Sequence, residues 1–243
     1  MKIALLGYGK MGKAIEKIAL ARGHEVILKI DAGETKDDYT NELKKADAAI
    51  DFSVPSAAVD NYKWCFETGV PVVSGTTGWL ERWDEVVEAC NEKSGGFFYA
   101  SNFSIGVNLF FRLNRELAKM MDNFHEYSAE VEEIHHVHKL DAPSGTAISV
   151  LNDIVGNNSK YNSWKLKEKE NDHSSHSNDV LPVTASREGE VPGTHVVTYR
   201  SSVDEITIKH EAYSREGFAL GAVIAAEFMK GRHGVFGMED IMK

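Results

Sequence analysis

The chain has 243 residues, enough for one large domain or two modest ones, and either size can bury a proper core. With 42% hydrophobic and 26% charged residues the composition is that of a globular protein, which excludes wholesale disorder. Lys+Arg 27 against Asp+Glu 37 gives a net charge of -10, a poor balance for nucleic acid unless basic residues cluster, and the one lysine-rich run, 165–169, is interrupted by Glu168.

Residues 2–6 form a short apolar run that predicts a strand, and 11–22 follow with helical spacing (Ile15, Ile18, Ala19). That run is too short for a signal peptide and leads into glycines, not a cleavage site. Strands are predicted at 25–30 and 48–52. A helix begins at Pro55 and stops at Gly69, with proline inside its start and glycine past its end. A strand at 70–74, a helix over 80–93 and a strand at 97–100 continue the series. Strands alternating with helices predict a parallel sheet covered on both faces.

The pattern changes after residue 104. A long helix is expected over 107–121 and a strand over 127–134, whereas 157–179 is rich in Asn, Ser, Lys and Glu and predicts an exposed loop. Residues 194–199 and 205–212 alternate as two strands joined by a polar turn, and 216–230 form a strongly apolar helix. The expected organisation is α/β, with a doubly wound first domain of 1–104 plus 215–243 and a second, mixed α/β domain of 105–214 built on one sheet. No stretch approaches the roughly 18 apolar residues of a membrane span. Cys65 and Cys90, both on predicted amphipathic helices, read as buried thiols in a reducing cytoplasm, with neither a disulfide nor a metal site.

Gly7, Gly9 and Gly12 make GxGxxG directly after the first strand, where a tight turn, a close backbone approach to pyrophosphate and close helix–strand packing are needed. Asp31 ends the second strand about 19 residues beyond Gly12, the place for an acid on the adenosine ribose. Together these predict a Rossmann dinucleotide-binding domain for NADH or NADPH. The Asp31 carboxylate repels a 2′-phosphate and Ala32 offers no cation, which favours NADH, although Lys10 could supply a partial counter-charge. Gly75, Thr76 and Thr77, and Tyr99, Ala100, Ser101 and Asn102, lie at predicted carboxyl ends of strands, where parallel sheets bind ligands.

In EIHHVHKLDAPSGTA, residues 133–147, Glu133, His135, Val137 and Lys139 share one strand face. If that strand frays at its end, His135, His136 and Lys139 reach one cleft. Adjacent strand histidines point apart and neither cysteine has ligand spacing to them, which argues against zinc. Ser144 is a plausible N-cap after Pro143, and free amides at Ser144, Gly145 and Thr146 would receive carboxylates. Asp141 would orient Lys139 or cap the turn. The stretch therefore suits a small acidic substrate that takes up a hydride and a proton.

This motif, with GYGKMG, SGTTGW, YASNFSIGVN and REGFALGAVIAAEFM, closely resembles the 4-hydroxy-tetrahydrodipicolinate (dihydrodipicolinate) reductase family over essentially the whole chain. The resemblance implies a homotetramer assembled through the second domain's sheet. It implies reduction of a small dicarboxylate, with loss of water, in diaminopimelate and lysine biosynthesis. By match to the motif, His135 would be a proton donor or acceptor and Lys139 a proton donor, with His136, Gly145 and Thr146 holding the carboxylates. Gly7, Tyr8, Gly9, Lys10, Met11, Gly12, Asp31, Gly75–Thr77 and Tyr99–Asn102 would bind the cofactor. Two rivals are a nucleotide sensor without turnover, which has no need of the His–Lys cluster, and another small-substrate dehydrogenase, such as one acting on aspartate, which would lack HHVHK before DAPSGT.

Overall fold

The protein is described by a computed structural model covering residues 1–31, 34, 36–167, 178–214 and 216–243. Ala32, the 168–169 end of the lysine-rich run and much of the 157–179 segment lie outside the described residues. In chain order the elements are β1 (Lys2–Leu6), α1 (Lys10–Ala21), β2 (Glu25–Ile30), α2 (Thr40–Leu43), β3 (Ala48–Asp51), α3 (Pro55–Thr68), β4 (Val72–Ser74), α4 (Trp83–Glu92) and β5 (Gly96–Tyr99). There follow α5 (Ile105–Met121), β6 (Ser128–His135), α6 (Gly145–Asn157), β7 (Ser163–Leu166), β8 (Val180–Arg187), β9 (Thr194–Arg200) and β10 (Glu205–Glu211). The chain closes with α7 (Glu216–Met229), β11 (Gly234–Phe236) and α8 (Met238–Ile241).

Two compact units result: Met1–Ile105 with Glu216–Lys243, and Gly106–Arg215. The first holds a parallel sheet of order β11-β5-β4-β3-β1-β2. Its strands read as continuous apolar runs because both faces are covered. One face packs Leu6, Ala49, Val72 and Phe97 against α3 and α4; the other packs Ile3, Leu5, Ile50 and Phe98 against α1 and α7. Helix α7 is apolar around most of its circumference and buries Ala219, Gly221, Ala222, Val223, Ala225, Ala226 and Met229, while Glu227 on its remaining side pairs with Arg22 and His24. A Cβ at Gly221 would stand 1.7 Å from the carbonyl oxygen of Phe103, so only glycine lets the helix come this close. The chain order places the crossover from β2 back to β3 on the other side of β1, which opens a ligand crevice at the carboxyl ends of β1 and β3.

The second unit is a mixed sheet, β10-β9-β6-β8-β7, with β6 parallel to β8 and antiparallel to β9. Along β6 the residues alternate: Ala129, Val131, Glu133 and His135 point inward, the others outward. The apolar half of the inward row packs with Phe110 of α5, Val150, Leu151 and Ile154 of α6, and Val183 and Val197.

Two elements depart from expectation. The segment predicted as a loop over 157–179 contains β7, paired parallel to β8 at Trp164↔Leu181 and Leu166↔Val183. Strand β8 itself was not anticipated, because Pro182 near its start and the mainly polar stretch Thr184–Arg187 argue against a strand; Pro182 is tolerated because pairing with β6 begins only at Val183, which leaves that side of the strand without a ladder partner there. The predicted helix over 80–93 begins as a single tight turn at Leu80–Arg82 before α4.

Candidate active site

In the first unit the glycine loop bends at Gly7, whose φ is +92° and where a Cβ would lie 2.3 Å from the Phe52 carbonyl oxygen. At Gly12 a Cβ would lie 2.3 Å from the carbonyl oxygen of Gly7, so strand end and helix start are pressed together. Gly9 differs: a side chain there would meet no atom within 4 Å. That open space faces the start of α1, whose first amides receive no side-chain cap. Uncapped amides, the positive end of the helix dipole and a vacant approach are what a pyrophosphate requires.

Two cavities flank Gly9. One, of about 410 Å³, is lined by Gly7, Gly9, Asp31, Glu34, Lys36 and Asn61 among others; the second, of about 370 Å³, by Gly9, Lys10, Met11, Gly75, Thr76 and Thr77 among others. Asp31 is exposed, and its main-chain N–H donates to Glu34 Oε2 at 2.6 Å, which adds a second carboxylate to the wall. Tyr39 donates to the other Glu34 oxygen at 3.2 Å. The Tyr8 hydroxyl donates to Glu16, with the Lys29 ammonium 4.9 Å from its ring centre. Gly75 makes room for the Phe52 ring, 2.2 Å from where its Cβ would be.

The remaining candidates stand apart from these cavities. The Tyr99 side chain joins the aromatic cluster of Trp79 and Trp83, with ring centres 5.2 and 5.8 Å away. Ala100 is buried, Ser101 is exposed, and Asn102 Oδ1 accepts the Ser104 N–H at 2.9 Å.

Beneath the crevice lies a buried acid, Asp51, with no exposed surface. Its carboxylate accepts from Thr76 Oγ1 (2.5 Å), Asn61 Nδ2 (2.6 Å) and Ser53 Oγ (3.0 Å), and Thr76 Oγ1 in turn accepts the Ser53 N–H at 2.9 Å. Burial pushes the Asp51 pKa up while these donors pull against it. The network ties the loop after β3 to the loop after β4.

In the second unit β6 ends at His135, and the chain turns, Lys139 N–H donating to the His136 carbonyl at 3.1 Å. The Lys139 ammonium is paired with both oxygens of Asp141 at 2.8 and 2.9 Å. Ser144 caps α6, its Oγ accepting the Ala147 N–H at 3.2 Å. Its own amide is not free as expected: it donates to Glu133 Oε1 at 3.1 Å and Oε2 at 3.0 Å. The carboxylate receptor at this helix start therefore reduces to the N–H groups of Gly145 and Thr146, which have no carbonyl partner inside the helix. His136 is half-buried, its ring 6.0 Å from that of His138.

Sheet register gathers the rest. Arg187 lies opposite His135 and His195 opposite Glu133. The Arg187 guanidinium donates to Glu133 Oε1 (3.3 Å), to the Asp141 carbonyl (2.5 Å) and to the Lys139 carbonyl (3.2 Å). His195 Nε2 is 3.1 Å from Ser144 Oγ, and its ring stands edge-on to His135 at 5.2 Å. Burial pushes His195 down to about 4, and lowers His135 as well. Glu133, His135 and His195 could offer three ligand atoms within 4.8 Å of one another. Both Glu133 oxygens already accept from Ser144, however, and the Arg187 guanidinium beside them repels a cation.

With this geometry in view, comparison with known proteins is decisive. Residues 1–103 match the family model "Dihydrodipicolinate reductase, N-terminus" and residues 106–242 match "Dihydrodipicolinate reductase, C-terminus". The chain belongs to the dihydrodipicolinate reductase family. A 4-hydroxy-tetrahydrodipicolinate reductase from Christiangramia forsetii is 50% identical over 242 residues, covering 100% of this chain and 98% of the relative. One from Methanoculleus marisnigri is 38% identical over 85% of this chain and 79% of its own length. Among solved structures, a dipicolinate-bound dihydrodipicolinate reductase from Paenisporosarcina sp. TG-14 shares the fold with a TM-score of 0.77 at 19% identity, over 99% of both chains. A probable dehydrogenase from Thermotoga maritima gives 0.55 at 10% identity, over 99% of this chain and 92% of its own.

Within this reductase-family fold, sequence reasoning missed Asp51, Ser53, Asn61 and Glu34 in the first unit and Arg187 and His195 in the second. Asp51-Phe52-Ser53 could have been found, being a polar break at a predicted strand's carboxyl end. Arg187 and His195 carry no local signal, since only the register with β6 brings them to Glu133.

Proposed function

We propose that the chain is an NAD(P)H-dependent 4-hydroxy-tetrahydrodipicolinate reductase of the diaminopimelate and lysine route, acting in the cytoplasm and forming tetrahydrodipicolinate with loss of water. The observation that carries this reading is the gathering of His135, the Lys139 loop and the start of α6 around one buried acid, Glu133. Similarity to reductases of that name from end to end supports it.

The glycine loop Gly7–Gly12, with Tyr8, Lys10 and Met11, and Asp31 hold the dinucleotide; Gly75–Thr77 and Tyr99–Asn102 hold its nicotinamide end. The open approach at Gly9 and the uncapped start of α1 fit that group. When bound, the reduced nicotinamide supplies the hydride. His136 and the amides of Gly145 and Thr146 grip the substrate carboxylates at the positive end of α6. Lys139, kept near by Asp141, offers a cation and a proton to the electron density that builds on the ring. Burial lowers the His135 pKa and so favours the neutral imidazole in the free site; a bound dianion acts the other way, and the proton enters with the substrate.

NADH is the preferred form in this reading, because Asp31 and Glu34 put two carboxylates on the cavity wall against the single ammonium of Lys36. The homotetramer belongs to the same reading: Leu109, Leu113 and Met120, on one face of α5, and Ile206 of β10 are exposed apolar side chains that assembly would cover.

The test is loss of NADH absorbance on adding the condensation product of aspartate semialdehyde and pyruvate, with aspartate plus NAD as control. No oxidation refutes the reaction, and a higher kcat/KM with NADPH refutes the preference.

A further inference from the structure

We propose that Glu133 is the positioning residue of the His135 imidazole: its buried carboxylate faces Nδ1, holds the ring in the Nδ1–H form, and leaves Nε2 as the nitrogen that exchanges protons. The inference rests on His135 being the proton-handling residue proposed above and names what sets its state.

Glu133 and His135 are two apart on β6, so the pleat turns both inward. Glu133 has no exposed surface and His135 is 8% exposed. His135 Nδ1 is buried and makes no hydrogen bond among the described residues, while Glu133 Oε2 stands 3.5 Å away. A buried imidazole nitrogen without a partner is costly, and catalytic hydrogen bonds are often long before substrate binds. A proton on Nδ1 aimed at this oxygen removes the cost.

The other nitrogen has different surroundings. A Cβ at Gly193 would come within 3.0 Å of His135 Nε2 and 3.4 Å of its Cδ2, so the missing side chain leaves room on the Nε2 side of the ring. The carboxylate on one side and the glycine on the other give the ring two unlike edges.

Glu133 is itself immobilised. Ser144 N–H reaches both its oxygens, Arg187 reaches Oε1, and Arg187 also clamps the carbonyls of Lys139 and Asp141. One acid thus touches β6, the head of α6 and, through Arg187, the loop that carries Lys139. The charged and titratable groups facing His135 are Glu133 on its own strand, His136 and Lys139 on the turn that follows, Arg187 on β8 and His195 on β9. Of the groups that shift the His135 pKa, Glu133 raises it, whereas Lys139, Arg187 and His136 lower it together with burial.

The experiment is a histidine-resolved NMR titration of the full chain without substrate or cofactor, with His135 assigned from His135→Asn. In Glu133→Gln, which keeps size and removes charge, the His135 midpoint falls by about one unit and the neutral ring loses its Nδ1–H preference. The matching limb of the kcat–pH profile moves the same way, with kcat down about tenfold at pH 7 and KM nearly unchanged. If Glu133→Gln does not fold, Glu133→Asp withdraws the carboxylate by one methylene, and the same two shifts are expected in smaller measure. An unchanged midpoint and tautomer in a folded variant overturns the proposal. Shifted resonances in a protein that oxidises no NADH with the condensation product leave Glu133's role standing and overturn the reaction instead.

Discussion

Asp51 at the end of β3 and Glu133 near the end of β6 are both fully buried acids beside a proposed ligand site, and they are satisfied in opposite ways. Among the described residues the side-chain partners of Asp51 are all neutral, two hydroxyls and an amide, which join the loops after β3 and β4. Glu133 has a guanidinium, a helix-capping residue's amide and two imidazoles around it. Hydroxyls and amides at neutral pH neither gain nor lose protons, so the first network is scaffold. The second contains two imidazoles, which burial holds neutral and which a bound dianion would favour in the protonated form, so it can respond to a charged ligand. A dinucleotide needs a shaped crevice; a substrate that must be protonated needs a site whose proton occupancy can change.

Variants test that division, the strongest first. Gly12→Glu drives a side chain into the Gly7 carbonyl; no NADH binding is expected by calorimetry even at millimolar cofactor, while a pyridine dicarboxylate still binds the second unit. Loss of dicarboxylate binding in that variant would break the comparison. His135→Ala or Lys139→Ala lowers kcat by about 100-fold or more with cofactor binding intact, and full activity in Lys139→Ala removes that residue from the mechanism. Asp51→Asn sets an amide against a ring of donors, a mismatch of about 1–3 kcal/mol. Thermal melts should show Tm lower by a few degrees, about 2–4 °C per kcal/mol, with the loss appearing in NADH KM more than in kcat.

The smallest effect is on pH dependence. His195 in the fold titrates at about 4 against 6.5 unfolded, so between these values the unfolded chain binds the extra proton. Stability is full above about 6.5 and is lost as pH falls towards 4, with the lowered His135 and His210 adding in the same direction. Asp51 acts oppositely: its raised pKa makes the fold bind the extra proton, and its contribution declines as pH rises from about 3.8. His195→Gln should flatten the fall in Tm between pH 6.5 and 4, and an unchanged slope would show that another group drives it.

What could be read from the sequence follows the range of the interactions involved. GxGxxG and the Pro55-to-Gly69 helix depend on neighbours a few residues away, and their spacing alone places a turn, a helix start and a helix end. His135, Lys139, Asp141 and the Ser144 cap lie within ten residues, and one motif exposed them. Glu133 was visible as a residue on the same face as His135, but its partners were not. Arg187 and His195 reach it through strand pairing across more than fifty positions, and β8, with a proline inside, hid the strand that delivers Arg187. The amide of Ser144 was misjudged as vacant because nothing local reveals which acid will fold beneath it.

Helix α7 has a bearing on how the protein is made. The face of β1, β3 and β4 formed by Ile3, Leu5, Ile50 and Val73 is covered by residues 219–229, which are made only after the whole second unit. The middle portion, Gly106–Arg215, can condense while the opening portion still waits with bare apolar strands. The first unit's core is therefore completed across a break in the chain, only after more than a hundred intervening residues have been added.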